Sequence, residues 1–176
     1  MTETLLSNAR LVLPDRVVKG AVLIRDGRIA AIDERSADGE DLDGDYLIPG
    51  LVELHTDHLE GHYAPRPRVR WDPIAAVLAH DAQIATAGIT SVFDALRVGL
   101  DEDSEVSAGE MRTLADAIED CIGNGRLRAD HFLHLRCEVS AADCLEAFAH
   151  FDDDPRVRLV SLMDHSPGQR QFIDDH

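Results

Sequence analysis

From residue 49 onward, apolar runs that read as strands alternate with capped helical segments, and few folds accept that order. Leu51 to Leu54, Ile89 to Phe93, His131 to Glu138 and Val157 to Met163 are the strand candidates. Asp72-Pro73 opens the first helix, with Asp as cap and Pro at the first helical position. Ile74, Val77, Leu78 and Ile84 give it an apolar stripe, and Gly88 ends it. Ser107-Ala108-Gly109-Glu110 is a capping-box pattern. The helix behind it carries Leu114, Ile118 and Cys121 on one face and runs out at Gly123-Asn124-Gly125. Ser140-Ala141-Ala142-Asp143 caps a third helix, with Leu145 and Phe148 for burial. Strand, helix, strand, helix is the order of a parallel α/β sheet.

Residues 1–48 read differently. Leu11-Val12-Leu13 and Ala21-Val22-Leu23-Ile24 are short apolar runs, and Asp26-Gly27 between Ile24-Arg25 and Arg28-Ile29 is a hairpin turn. Ser36 to Asp45 is polar and acidic and reads as a loop. A small β-domain over 1–48 therefore precedes an α/β unit over 49–176.

The residues with chemistry gather at strand ends. The run Pro49-Gly50-Leu51-Val52-Glu53-Leu54 closes on His55-Thr56-Asp57. Side chains alternate along a strand, so His55 and Asp57 point to one side. Imidazole with carboxylate suits zinc, iron or manganese; a surface His and Asp in a loop is the plainer reading. On the third strand Leu133, Leu135 and Cys137 are apolar and should face helices, whereas Phe132, His134, Arg136 and Glu138 should face the other side. Arg66, Arg68 and Arg70 follow the first strand in a loop that also holds His58, Glu60 and His62. His80 lies on a helix, where packing or capping is the expected role. Asp94 closes the second strand as read here, and an Asp there often caps the next turn.

Pro49 to Asp57 resembles the first barrel strand of the amidohydrolase superfamily, with Asp57 where a second His is usual. With Leu59-Glu60, Pro65-Arg66-Pro67, His80-Asp81-Ala82-Gln83, Ala87 to Leu96 and Leu162 to Arg170, it resembles one branch of that superfamily. That branch releases diphosphate from a ribose 1-methylphosphonate 5-triphosphate in phosphonate catabolism. The resemblance implies a metal-dependent (β/α) barrel, here a partial one, because a closed barrel needs about 250 residues. It implies one or two divalent ions held by His55 and Asp57, with Glu138 as third ligand. Glu138 paired with Arg136 or another Arg is the alternative. His165 is implied as a metal or substrate ligand, with a structural role as the alternative. A general base and further ligands are expected beyond residue 176. Two carboxylates on one divalent ion leave no positive charge, so a triphosphate needs a second ion or Arg side chains. Arg66, in the matched Pro-Arg-Pro, and Arg68 are the expected phosphate ligands. Two further readings stay open: another amidohydrolase acting on an amide or cyclic amide, and a non-catalytic fragment.

The formal charge of -17, with Lys19 the only lysine, argues against a nucleic-acid surface. It suits a salt-rich cytosol, or reflects an Arg-favouring genome. Cys121, Cys137 and Cys144 form no close-spaced metal pair and read as reduced thiols. Neither a basic leader nor a long apolar run is visible, so no membrane span and a cytoplasmic location are expected. Open sheet edges make self-association the expected partner interaction besides the substrate.

Overall fold

The structure is a computed structural model and describes residues 2–35, 38–99 and 106–165. Its contacts divide the chain into two compact units, Met1–Pro49 and Gly50–His176. In the first, strands β1 (Glu3–Val12), β2 (Val17–Arg25) and β3 (Arg28–Asp33) pair antiparallel in the order β3-β2-β1. The short strands β4 (Glu40–Asp41) and β5 (Tyr46–Leu47) pair parallel to β1. The β2–β3 turn is Asp26-Gly27, at φ 50° and 75°, as a tight hairpin requires. Ala9, Leu11 and Val22 form its small core. Ile29 and Ile32 stay exposed, because every residue of β3 is. Ser36 and Ala37, at the head of the expected loop, lie outside the described residues.

The second unit is one parallel sheet in chain order: β6 (Leu51–Thr56), β7 (Ile89–Val98), β8 (Asp130–Glu138) and β9 (Val157–Met163). Helices α2 (Pro73–Thr86), α3 (Ala108–Gly123) and α4 (Cys144–Ala149) lie between successive strands, and a short α1 (His58–Tyr63) follows β6. Gly50 leads into β6 beside β7, where an added Cβ would sit 2.2 Å from Thr90 Cγ2, so only glycine fits.

One core joins the helices to one side of the sheet. Val77, Leu114, Ile118 and Cys121 from the helices pack with Leu96, Val98, Leu133, Leu135 and Cys137 from the strands. The expected alternation on β8 therefore holds. Asp72 caps α2 by accepting from the Ala75 amide at 2.9 Å, and the Ser107–Glu110 capping box of α3 is complete.

Three expectations are corrected here. β7 does not stop at Phe93 but runs to Val98, so Asp94 is within the strand rather than capping a turn. Leu145 is 86% exposed, and Ala147 is the residue that α4 buries. His58 to Tyr63 is helical rather than loop, burying Leu59 and Tyr63 one turn apart. Of the expected acidic loop at 99–106, residues 100–105 lie outside the described residues.

Candidate functional site

Parallel strands deliver their C-terminal residues to one end of a sheet, and the polar side chains of interest collect there. β6 ends just past His55, and Asp57 stands at the start of α1. His55 Nε2 is 3.7 Å from Asp57 Oδ1, and both side chains are partly exposed. From β8 come His134, Arg136 and Glu138, alternate residues on the side away from the helices and all buried. Arg97 of β7 is in register with Arg136, so the two guanidiniums leave the sheet on the same side.

Arg136 ties the strand ends together. Its Nη1 donates to Asp57 Oδ1 at 2.5 Å, and its Nε, also buried, has no partner. Glu138 pairs not with Arg136 but with His165, whose Nδ1 meets Glu138 Oε1. The second oxygen, Oε2, is buried without a partner. The arginine pairing considered for Glu138 is thus corrected. Glu60, from α1, carries a partly buried carboxyl. Burial pushes its pKa up, against the pull of Arg136 and Arg97.

His134 braces this end of the sheet. A carbonyl can only accept, so Nδ1–H donates to Leu54 O at 3.0 Å, and Nε2 accepts from the Ser161 hydroxyl at 2.8 Å. That tautomer is neutral, in line with a pKa lowered first by burial. One side chain on β8 thereby reaches both β6 and β9. Its ring also meets the His55 ring edge-on, with centroids 4.9 Å apart.

Arg66 and Arg68 are exposed and form no ion pair with a described residue; Arg68 has φ 61°. The Arg70 guanidinium lies over Tyr63 and donates to Glu110 at 2.5 Å, so its first role is to hold α3. Ser166 to Arg170, the end of the matched segment after His165, lies outside the described residues.

A second cluster sits on the helix side. Asp94 accepts from His80 Nε2 at 2.7 Å and from His131 Nδ1 at 2.8 Å, and all three are buried. Their ligand atoms lie within 4.8 Å of one another, the spacing of a group able to hold a metal ion. Among the described residues His55, Asp57 and Glu138 do not close to that spacing. An ionised carboxylate only accepts, however, so both imidazoles of the buried cluster donate protons to Asp94, and those protons occupy the positions an ion would need. The far nitrogen of His131 is 3.5 Å from Asp81, which also accepts from the amides of Arg128 and Ala129. The arrangement is a buried hydrogen-bond network joining α2, β7 and β8. Sequence reading gave His80 a packing or capping role but had no signal for its partners, which lie 14 and 51 positions along the chain.

No protein-family model matches the chain. It is 42% identical over 171 residues to the alpha-D-ribose 1-methylphosphonate 5-triphosphate diphosphatase of Escherichia coli K12. That alignment takes in 96% of this chain and 45% of the relative, so the chain spans about half its length. Among solved structures it is similar to the N-acetylglucosamine-6-phosphate deacetylase of Pasteurella multocida, with TM-score 0.57 at 15% identity, over 79% of this chain and 36% of that one. The dihydropyrimidinase of Brevibacillus agri superposes with TM-score 0.52 at 17% identity, over 99% and 35% of the two chains. The D-hydantoinase of Bacillus sp. AR9 gives 0.51 at 21%, over 98% and 35%. The fold is accordingly that of an amidohydrolase, a partial parallel barrel with a small β-domain ahead of it.

Proposed function

We propose that this chain carries the first strands and the first ligands of a metal-dependent hydrolase. The enzyme splits alpha-D-ribose 1-methylphosphonate 5-triphosphate into the 5-phosphate and diphosphate. Its sequence similarity to a diphosphatase supports the substrate. The observation that carries the reading is the charge pattern at the strand ends. Two guanidiniums, Arg97 and Arg136, stand among the carboxyls of Asp57, Glu60 and Glu138. A guanidinium fork matches phosphate oxygens, so the pair suits a polyphosphate.

The donor types suit a divalent ion. His55, Asp57 and Glu138 are the imidazole and carboxylate types that borderline metals take, and Glu138 Oε2 is a buried oxygen without a partner. Bound there, a divalent ion would supply an acidified water and neutralise phosphoryl charge. The protein residues do the rest. His134 fixes the β6 backbone beside His55 through Leu54 and so limits where the imidazole can point. His165 orients Glu138. The guanidiniums hold the phosphates so that attack on phosphorus is in line with the departing diphosphate. Arg66 and Arg68, exposed beside α1, are proposed as outer phosphate contacts. A cytoplasmic location is in keeping with the free thiols Cys121, Cys137 and Cys144.

The test uses the enzyme with His55→Ala or Asp57→Ala. Bound metal, by elemental analysis, and diphosphate release are both expected to fall to background. Diphosphate release is measured beside hydrolysis of a cyclic amide. Activity on the amide alone would replace this reading with an amidase; full metal content in either variant would refute the ligand assignment.

A further inference from the structure

Arg136 is charged, buried and only partly hydrogen-bonded. It is 5% exposed, its Nη1 is on Asp57, and its Nε faces no acceptor. A buried guanidinium with an unused donor is costly unless a ligand completes it. Its place in the chain matters too. It lies on the same side of β8 as Glu138, two residues before it, and holds Asp57, so it adjoins two of the residues assigned above as metal ligands.

We propose that Arg136 is the principal phosphate-positioning residue of this site, and that its ion pair with Asp57 opens when Asp57 takes up a divalent ion. This rests on the ligand assignment made above. The oxygen that Arg136 holds, Oδ1, is also the one 3.7 Å from His55 Nε2, so an ion shared by His55 and that oxygen competes with the guanidinium for it. Once displaced, the guanidinium keeps its charge and regains its planar fork, which matches the geometry of phosphate oxygens. Loading the ion thus prepares the anion site. The order of events is cation first, polyphosphate second, and one side chain enforces it.

The consequence is a pair of opposite effects from a single substitution. In the enzyme, Arg136→Met removes the competitor for Asp57 and the repulsion of the ion. Mn²⁺ alone, titrated by calorimetry, is expected to bind about tenfold more tightly. Inorganic triphosphate, titrated at saturating Mn²⁺, is expected to bind about tenfold more weakly. Arg136→Lys keeps the charge without the fork, so Mn²⁺ affinity should stay near that of the unsubstituted enzyme while triphosphate weakens. If Arg136→Met does not fold, the lysine variant decides: undiminished triphosphate affinity overturns the proposal. Weaker Mn²⁺ binding in the methionine variant overturns it as well, since Arg136 would then be organising the ligands rather than competing for one. No Mn²⁺ binding to the unsubstituted enzyme would remove the ligand assignment, and this inference with it.

Discussion

Asp94 is a carboxylate with no exposed surface, and it is tolerable there only because two imidazoles donate to it. Burial pushes its pKa up, yet the hydrogen bonds from His131 and His80 outweigh that and hold it below the usual range. The same contacts raise the pKa of His131 against its own burial. The two signs define a window. The lowered Asp94 contributes stability that is full above about pH 4 and lost as pH falls through its native pKa. The raised His131 contributes stability that is full below about pH 6.5 and lost as pH rises through its native pKa. Asp94→Asn points an amide at two donors and is expected to cost about 3 kcal/mol. Its difference from the unsubstituted chain, by urea unfolding, should be largest between about pH 4 and pH 6.5. A difference that does not vary from pH 3 to pH 8 would show that the network carries no charge. At this scale the sequence was legible where types repeat along one strand: the polar side of β8 was read correctly, and Arg136 and Glu138 fall on it. It was not legible where pairs form across the sheet. Nothing local distinguishes Arg136 bound to Asp57 from Arg136 bound to Glu138.

Helix α3 shows the opposite balance, because its start is written within four residues. Ser107 accepts from the Glu110 amide, and Glu110 accepts from the Ser107 amide at 2.9 Å. The tertiary structure adds Arg70 and Tyr63, both donating to Glu110. Burial raises the Glu110 pKa, but the Ser107 amide and the Arg70 guanidinium more than offset it, leaving a value of about 2. A lowered carboxyl stabilises above its unfolded value of about 4.3, and that contribution fades as pH falls toward 2. Ser107→Ala is expected to cost about 1 kcal/mol at neutral pH. Glu110→Gln should destabilise at pH 7 and approach the unsubstituted chain near pH 2, read from thermal unfolding at both. Equal losses at both pH values would assign the effect to packing. The contrast with α1 and α4 is instructive. Both are six residues long, and neither N-cap side chain makes a capping hydrogen bond. Without a cap or a full apolar stripe, their existence and buried faces follow from tertiary contacts, which is why Leu145 was assigned to the wrong side. β7 was cut short for a related reason: an Asp inside a helix-facing strand looks like an end unless its two histidines are known.

Among the described residues β6 and β9 are the edge strands of the second unit's sheet, and the charge of the whole molecule bears on what they do. β6 and β9 each pair with one described strand. β9 leaves Val160 and Leu162 at 44% and 66% exposed, in register with Leu135 and Cys137, which the helices cover. β6 leaves Leu51, Val52 and Leu54 about half exposed. An edge with unpaired backbone groups and apolar side chains is a template for another strand. Opposing this is a formal charge of -17, which makes copies of the chain repel one another until salt screens them. The 176-residue chain should therefore elute as a smaller species in dilute buffer and as larger ones when potassium chloride is raised to molar levels. Leu162→Lys places a charge on the β9 edge at an exposed side chain. It should shift the high-salt profile back toward the smaller species and leave the thermal midpoint within about 0.5 kcal/mol of the unsubstituted chain. Two other outcomes would point elsewhere. Association that falls with salt would mean that ion pairs, not strand edges, hold the copies together. Association that rises with salt but ignores the lysine would move the contact to β6, where Val52→Lys is the matching variant.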